Sequence, residues 1–193
     1  MSKLNKECLP EGFQYFPHGI SFDKSLALYE YLCGHLSWQQ PEIRVYGKLH
    51  HIPRLQCFIA DQNVNYGYSG KQLDSCDWLP VLSSIRARLQ QQYGQSFNAL
   101  LLNWYRDGQD TMGWHSDDEQ ELGNEPMIVS VSLGASRLFK IRDKVTRETY
   151  SILLETGSFL MMSGRSQHDF EHSLPKQAKV SQGRINLTFR TVG

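Results

Sequence analysis

Residues 127–162 run MIVSVSL, GAS, RLFKIR, DKVTRE, TYSILL, ETG and SFLMM in succession. Four short apolar runs alternate with turns carrying Gly, Ser or Asp, and none shows a helical stripe, which is the pattern of strands folded back on one another. The same texture lies on either side, at 98–105 (NALLLNWY) and 184–190 (RINLTFR). Six strands, at 98–105, 127–133, 137–142, 149–154, 158–162 and 184–190, point to a β-sandwich or barrel. The N-terminal half differs. Residues 22–37 place Phe22, Leu26, Tyr29, Leu32/Cys33 and Leu36 on one helical face behind Ser21 as N-cap. A second helix runs from about Pro80 to before Gly94 on a Val81, Ile85, Leu89 stripe. Residues 44–70 are rich in Tyr, His and Gly and read as short strands and hairpins. The fold class is therefore expected to be α+β, mainly β, with helices supporting an antiparallel double sheet.

Composition sets limits on this picture. A chain of 193 residues suits one domain. With 40% hydrophobic and 11% aromatic residues it is too apolar for wholesale disorder. Cys8, Cys33, Cys57 and Cys76 form no CxxC pair, which argues against a cysteine-ligated zinc and suits a reducing, intracellular compartment. No apolar run approaches ~18 residues, so no membrane partner is expected. The start, MSKLNKECLPEGF, lacks an apolar h-region, so no secretory signal is expected. Basic and acidic residues balance at 20 each, yet they are unevenly placed. Residues 44–54 (RVYGKLHHIPR) hold Arg44, Lys48 and Arg54 without an acid, whereas 117–125 hold Asp117, Asp118, Glu119, Glu121 and Glu125 without a base. A neutral chain can in this way present a basic strip suited to phosphates.

Three features carry chemistry. In His115-Ser116-Asp117, residues two apart on an extended chain share a face at about 6.5–7 Å, so an imidazole and a carboxylate can hold one metal ion. A third ligand must come from elsewhere, and His172 and His168 are the candidates. Two histidines and a carboxylate on one face of an ion leave positions open for a chelating cosubstrate and O2, the donor set of non-haem Fe(II) oxygenases. In the last strand, Arg184, Asn186, Thr188 and Arg190 share one side and Ile185, Leu187 and Phe189 the other. Arginines turned toward a barrel interior need anions, and a dicarboxylate offers one at each end. Asn103 and Tyr105 form a similar pair. Residues 168–172, HDFEH, match a zinc-protease pattern, but that chemistry needs both histidines on one helix face and the segment lacks an apolar stripe.

Together these residues resemble the AlkB family of Fe(II)- and 2-oxoglutarate-dependent dioxygenases, and within it the animal-type branch that repairs duplex DNA. The resemblance runs from about Arg44 to Arg190. Its motifs are N-x-Y (Asn103, Tyr105), H-x-D-D-E (His115 to Glu119), H-S-L-P (His172 to Pro175) and R-I-N-L-T-F-R. It implies a double-stranded β-helix (jelly-roll) core over about 98–190, with N-terminal supporting helices and a nucleotide-recognition lid over about 44–75, in a single dioxygenase domain spanning 1–193. It favours His172 over His168, because the family's distal ligand directly precedes such a Ser-Leu-Pro turn. Fe(II) would then be held by His115, Asp117 and His172, with no catalytic residue needed beyond them. For 2-oxoglutarate, Arg184 would grip the distal carboxylate beside Tyr105, and Arg190 would support the metal-proximal end with Asn103, Asn186 and Thr188.

The resemblance further implies that Tyr46, Gly47 and Lys48 form a finger entering the base stack. Tyr66, Tyr68 and Ser69 would cover a flipped base, which an enzyme working on a base edge must extrude. Asp118 and Glu119 would sense an exocyclic amine or a cationic methylated base. The implied reaction is oxidative demethylation of 1-methyladenine or 3-methylcytosine in DNA, using O2 and releasing formaldehyde, succinate and CO2, a direct-reversal repair. The implied partner is DNA carrying alkylated bases, duplex first, with single strands or RNA next; a monomer is expected, in the cytoplasm of a bacterium or the nucleus of a eukaryote. The alternative is a 2-oxoglutarate oxygenase acting on RNA or on a protein side chain.

Overall fold

The computed structural model describes residues 9–45, 47–68 and 71–193. Strand Phe13–Phe16 (β1) leads into helix Phe22–His35 (α1). The face α1 buries is the expected one only in its second half, where Leu32 is buried and Tyr29, Cys33 and Leu36 pack against the core. Ser25, Leu28 and Leu32 meet the sheet, while Phe22 is 66% and Leu26 42% exposed. A serine can take a central place because its hydroxyl donates to the Ser21 carbonyl at 2.9 Å, so no polar group is buried unpaired. The Ser21 side chain makes no capping bond.

A hairpin follows, Glu42–Val45 (β2) with Lys48–His51 (β3), and then the apolar strand Leu55–Ala60 (β4). A two-stranded ribbon, Gly67–Tyr68 (β5) with Lys71–Gln72 (β6), precedes Ser75–Cys76 (β7). Helix Pro80–Tyr93 (α2) begins on proline and ends at Gly94, whose φ of +64° lets its amide reach the Gln90 carbonyl at 2.9 Å. It buries Leu82 and Leu89, with Val81 and Ile85 half-buried.

The six expected strands are Ala99–Tyr105 (β8), Ile128–Gly134 (β10), Arg137–Asp143 (β11), Thr149–Leu154 (β12), Phe159–Met162 (β13) and Arg184–Arg190 (β15). Among them lie Met112–His115 (β9), a four-residue helix Ser166–Asp169 (α3), and Phe170–Leu174 (β14). His172 thus stands within a strand. The HDFEH segment is split between α3 and β14, so it cannot offer two histidines from one helix face.

Two sheets result, in the order β1-β13-β10-β15-β8-β4-β7 and β12-β11-β14-β9, with β2-β3 and β5-β6 as separate ribbons. This is the double-stranded β-helix. The span 44–75 divides structurally: β4 belongs to the large sheet, paired antiparallel with β8, while the two ribbons stand apart. Strand alternation separates two cores. Leu100, Leu102, Val131, Ile185, Leu187 and Phe189 pack beneath α1 and α2. Phe139, Ile141, Leu160, Met162 and Leu174 fill the space between the sheets.

Candidate metal centre and its cavity

The β9–β14 pairing sets His115 directly opposite His172, with ring centroids 4.3 Å apart. Asp117 follows two residues after the strand end. One ligand atom from each of the three lies within 4.8 Å of the others, the only such group of three among the described residues. His115 donates Nδ1–H to the Gly113 carbonyl at 2.9 Å, which leaves the Nε2 lone pair free, 3.9 Å from Asp117 Oδ1.

His172 is buried, stacks on Phe139 at 5.3 Å, and has an Nδ1 without a hydrogen-bond partner. Burial, reinforced by His115, pushes its pKa down to about 3, so the ring is neutral as a metal ligand must be. Burial alone would raise the Asp117 carboxyl. Arg190, His172 and His115 outweigh it and bring the group to about 2. Arg190 Nη2 takes Oδ2 at 2.9 Å. One carboxylate oxygen is thus occupied and the other faces the imidazoles. Two imidazoles, one of them with an orphaned buried ring nitrogen, and a carboxylate fit a divalent iron in a 2-His-1-carboxylate set.

Beside this centre, β15 forms a polar wall in a cavity of about 490 Å³. Arg184, Asn186, Thr188 and Arg190 line it, as do Asn103, Tyr105 and the three ligands. Arg184 is buried, donating from Nη2 to Ser132 Oγ (2.9 Å) and Asn186 Oδ1 (2.8 Å), with its carbon 5.6 Å from the Tyr105 ring centre. Burial lowers its pKa to about 10, which leaves it cationic at neutral pH. No carboxylate pairs with it among the described residues, and its Nε has no partner. A buried guanidinium in that state calls for an anion. Asn186 also accepts from Ser130 Oγ (2.7 Å) and donates to Thr188 Oγ1 (2.7 Å). This ladder holds the wall's hydrogen-bonding groups in fixed directions.

Tyr66 is 2% exposed and its hydroxyl accepts a bond from Arg190 Nη1 at 2.9 Å, so it lines the cavity that holds the metal group. Its place in the chain, one residue before the β5–β6 ribbon, hid that. Arg54 is 4% exposed and donates Nε–H to Asn103 Oδ1 at 2.8 Å, so it does not belong to a phosphate-facing strip. It sits at the entry to β4, where the chain turns into the large sheet. At the mouth, Asp118 is exposed with Lys144 at 3.8 Å. Glu119 is half-buried, and burial followed by Asp117 raises its pKa. Gly47 lies in the turn of the β2–β3 hairpin at a φ of +80°, and Lys48 is exposed beside it. Tyr46, Ser69 and the Tyr68 side chain lie outside the described residues. His168 is exposed and bonds Asp169, remote from the metal group.

Sequence reasoning also passed over three residues that the structure brings in. Gln167, on α3, is buried and accepts the Asp117 amide proton at 2.9 Å. Ser116 Oγ donates to the Phe170 carbonyl at 2.9 Å and fastens the same loop to β14. Arg137, fully buried, donates to the carbonyls of Asp107 and Asp110 (2.8 Å each) and Pro175 (3.0 Å), joining the turns that follow β8 and β14. A helix of one turn leaves no periodic signal, so only the clustering of polar residues after Gly164 could have drawn attention to Gln167.

Comparison with known proteins agrees with this geometry. Residues 12–190 match the family described as the 2OG-Fe(II) oxygenase superfamily. The chain is 41% identical over 171 residues to the bovine DNA oxidative demethylase ALKBH2, covering 84% of this chain and 60% of that one. It is 36% identical over 199 residues to the rat alpha-ketoglutarate-dependent dioxygenase alkB homolog 3, covering 98% and 65%. The mouse DNA oxidative demethylase ALKBH2 is 40% identical, covering 84% and 70%. The chain therefore spans about 60–65% of the length of the first two relatives. The solved structure of OsALKBH1 superposes with a TM-score of 0.71 at 19% identity, over 96% of this chain and 100% of that one, a likeness of fold.

Proposed function

The chain belongs to the 2OG-Fe(II) oxygenase superfamily and, within it, to the AlkB family, and from that premise we propose that it demethylates N-alkylated bases in DNA by oxidation. The observation that carries this reading is the convergence of His115, Asp117 and His172 beside a buried Arg184 that lacks a carboxylate partner, all within one cavity. Iron bound by the three ligands would supply the activation of O2 as 2-oxoglutarate is oxidised. The chain's own residues supply position and dryness. Arg184, held by Ser132 and Asn186, receives one carboxylate of 2-oxoglutarate as a fork. Arg190 fixes the Asp117 carboxylate so that one oxygen remains directed at the histidines, and Asn103, steadied by Arg54, borders the same end. Phe139, Met162 and Leu174 exclude water from the cavity wall.

In the net reaction one oxygen atom enters an N-methyl C–H bond and the other enters succinate as CO2 leaves. The N-hydroxymethyl group then leaves as formaldehyde, its hydroxyl proton is released to solvent, and the ring nitrogen of the base regains its lone pair. No side chain must act as nucleophile or general base. Asp118 and Glu119 at the mouth suit a base that carries positive charge when methylated. The exposed β2–β3 hairpin supports a duplex-probing role for Tyr46, Gly47 and Lys48, and the β5–β6 ribbon a covering role for Tyr68 and Ser69. Both alkylated duplexes and single strands, RNA included, are candidate substrates.

The test is formaldehyde release from oligonucleotides carrying 1-methyladenine or 3-methylcytosine, as duplexes and as single strands, with Fe(II), 2-oxoglutarate and air. Release that requires all three supports the reading. Release from neither substrate, with 2-oxoglutarate turnover stimulated instead by a peptide, would assign the site to protein side chains.

A further inference from the structure

The side of the large sheet away from the metal cavity carries a second concavity. Between α1 and α2 lies an open groove of about 540 Å³. Each helix lends it an unbroken stripe: Lys24, Ala27, Leu28 and Tyr31 from α1, and Val81, Ile85, Arg88 and Gln92 from α2. These spacings are those of a single helix face. The floor is apolar, formed by Ile20, Leu28, Leu89 and Phe159. On its wall α1 leaves Tyr31 exposed, although Tyr31 does not serve the catalytic cavity. The charge at the groove is one-sided. Lys24 and Arg88, one from each helix, line it, and no acidic residue does.

We propose that this groove docks an amphipathic helix of a partner protein, with the partner's apolar stripe on the floor and its flanking carboxylates against Lys24 and Arg88. The stretches that line the groove, residues 24–31 of α1 and 81–92 of α2, run about 11 and 17 Å at 1.5 Å per residue and offer a bed for two to three turns of a third helix. A nucleic acid is disfavoured, because two cations over an aliphatic floor give neither a phosphate track nor a stacking platform. The proposal does not depend on the reading of the metal centre. In β15, Ile185, Leu187 and Phe189 face the helices and the intervening residues face the cavity, so a docked partner leaves the cavity mouth clear.

The test is fluorescence anisotropy of the full chain with two designed helical peptides sharing one leucine stripe, the first with flanking glutamates and the second with lysines in their place. The acidic peptide should bind with a Kd of about 10–100 μM and the basic one about tenfold more weakly. Lys24→Glu with Arg88→Glu should reverse that order. Ala27→Trp, at an exposed position on the groove wall, should remove binding of both while thermal melting and formaldehyde release stay unchanged. Equal binding of the two peptides, binding that survives Ala27→Trp, or no binding by either would overturn the proposal. So would a dimer in sedimentation that Ala27→Trp abolishes, since the groove would then be filled by a second copy of this chain.

Discussion

The β15 wall and the β2–β3 hairpin border the same opening, yet they are built in opposite ways. In β15, Arg184, Thr188 and Arg190 are buried, and each makes hydrogen bonds across the cavity wall or along the ladder. The strand pairs on both sides, with β10 and with β8. In the hairpin, β3 is exposed at every position and pairs with β2 alone. Chemistry that tolerates little displacement sits where the sheet fixes each side chain. Contact with a large, variable partner sits on a ribbon whose side chains are free to rearrange. Mutations in the wall should therefore act on iron and 2-oxoglutarate, and mutations in the hairpin on nucleic acid.

The largest effect is expected at Asp117. Asp117→Ala removes a ligand, so turnover should vanish. It also strands the buried Arg190 guanidinium, and breaking such a pair costs about 3–5 kcal/mol. Asp117→Asn keeps the shape and should recover part of that stability without recovering turnover. Melting curves and formaldehyde release on the two variants separate the effects. Full activity in either variant would remove Asp117 from the ligand set.

Next comes Arg184. Arg184→Met should raise the KM for 2-oxoglutarate by about two orders of magnitude, the consequence of losing a desolvated charged contact, and leave the KM for the oligonucleotide unchanged. Stability without 2-oxoglutarate should move the other way. Because no carboxylate pairs with Arg184 among the described residues, replacing it by an apolar side chain of similar size should leave the ligand-free protein as stable or more so. A matching loss of affinity for both substrates would deny the wall its specific task.

Gln167 tests how far the rigid region extends. Its Oε1 is the acceptor for the Asp117 amide, so Gln167→Met removes the bond and keeps the volume. Residues that orient metal ligands are worth about 10–100-fold in metal affinity, and the lower end is expected here because Arg190 still holds the carboxylate. Titration with Mn(II) or Co(II) reads the affinity, and the Co(II) visible spectrum reports whether the donor geometry has altered. Unchanged affinity would restrict Gln167 to supporting the fold.

What the sequence discloses follows the same division. The alternation in 184–190 tells which residues face inward, because period two in a strand between two cores allows one arrangement. Six strands were legible for that reason. The face of α1 is legible only in part: Leu32, Cys33 and Leu36 meet the core, but Leu26 matches the helical period as well as Leu28 does, and the packing of Ser25 against the loop at Gly157 turns the first half of the helix away from Phe22 and Leu26. His172 could be weighed against His168 only by resemblance, since β14 is five residues long and carries no pattern of its own. Arg54 reads as a phosphate contact because its neighbours in sequence are basic, and Tyr66 takes its expected role from the resemblance, so neither reading reports depth. Their burial comes from contacts with Asn103 and Arg190, 49 and 124 residues away.

The smallest effect, and the sharpest test of the division, is at Lys48. The residue is exposed and touches neither the wall nor the ligands, so Lys48→Ala should leave the 2-oxoglutarate KM, metal affinity and melting temperature as they are. If it meets a phosphate, removing it should weaken oligonucleotide binding by a few-fold at low salt and reduce the slope of log K against log salt by about one. That loss should be the same for every base sequence, because a phosphate contact reads no sequence. A duplex and a single strand carrying the same lesion then distinguish the hairpin's tasks. A loss confined to the duplex places the ribbon against the second strand, and an equal loss on both leaves it a contact to the lesion strand alone. A change in the 2-oxoglutarate KM would show the hairpin and the wall to be coupled, and the separation drawn from their burial would fail.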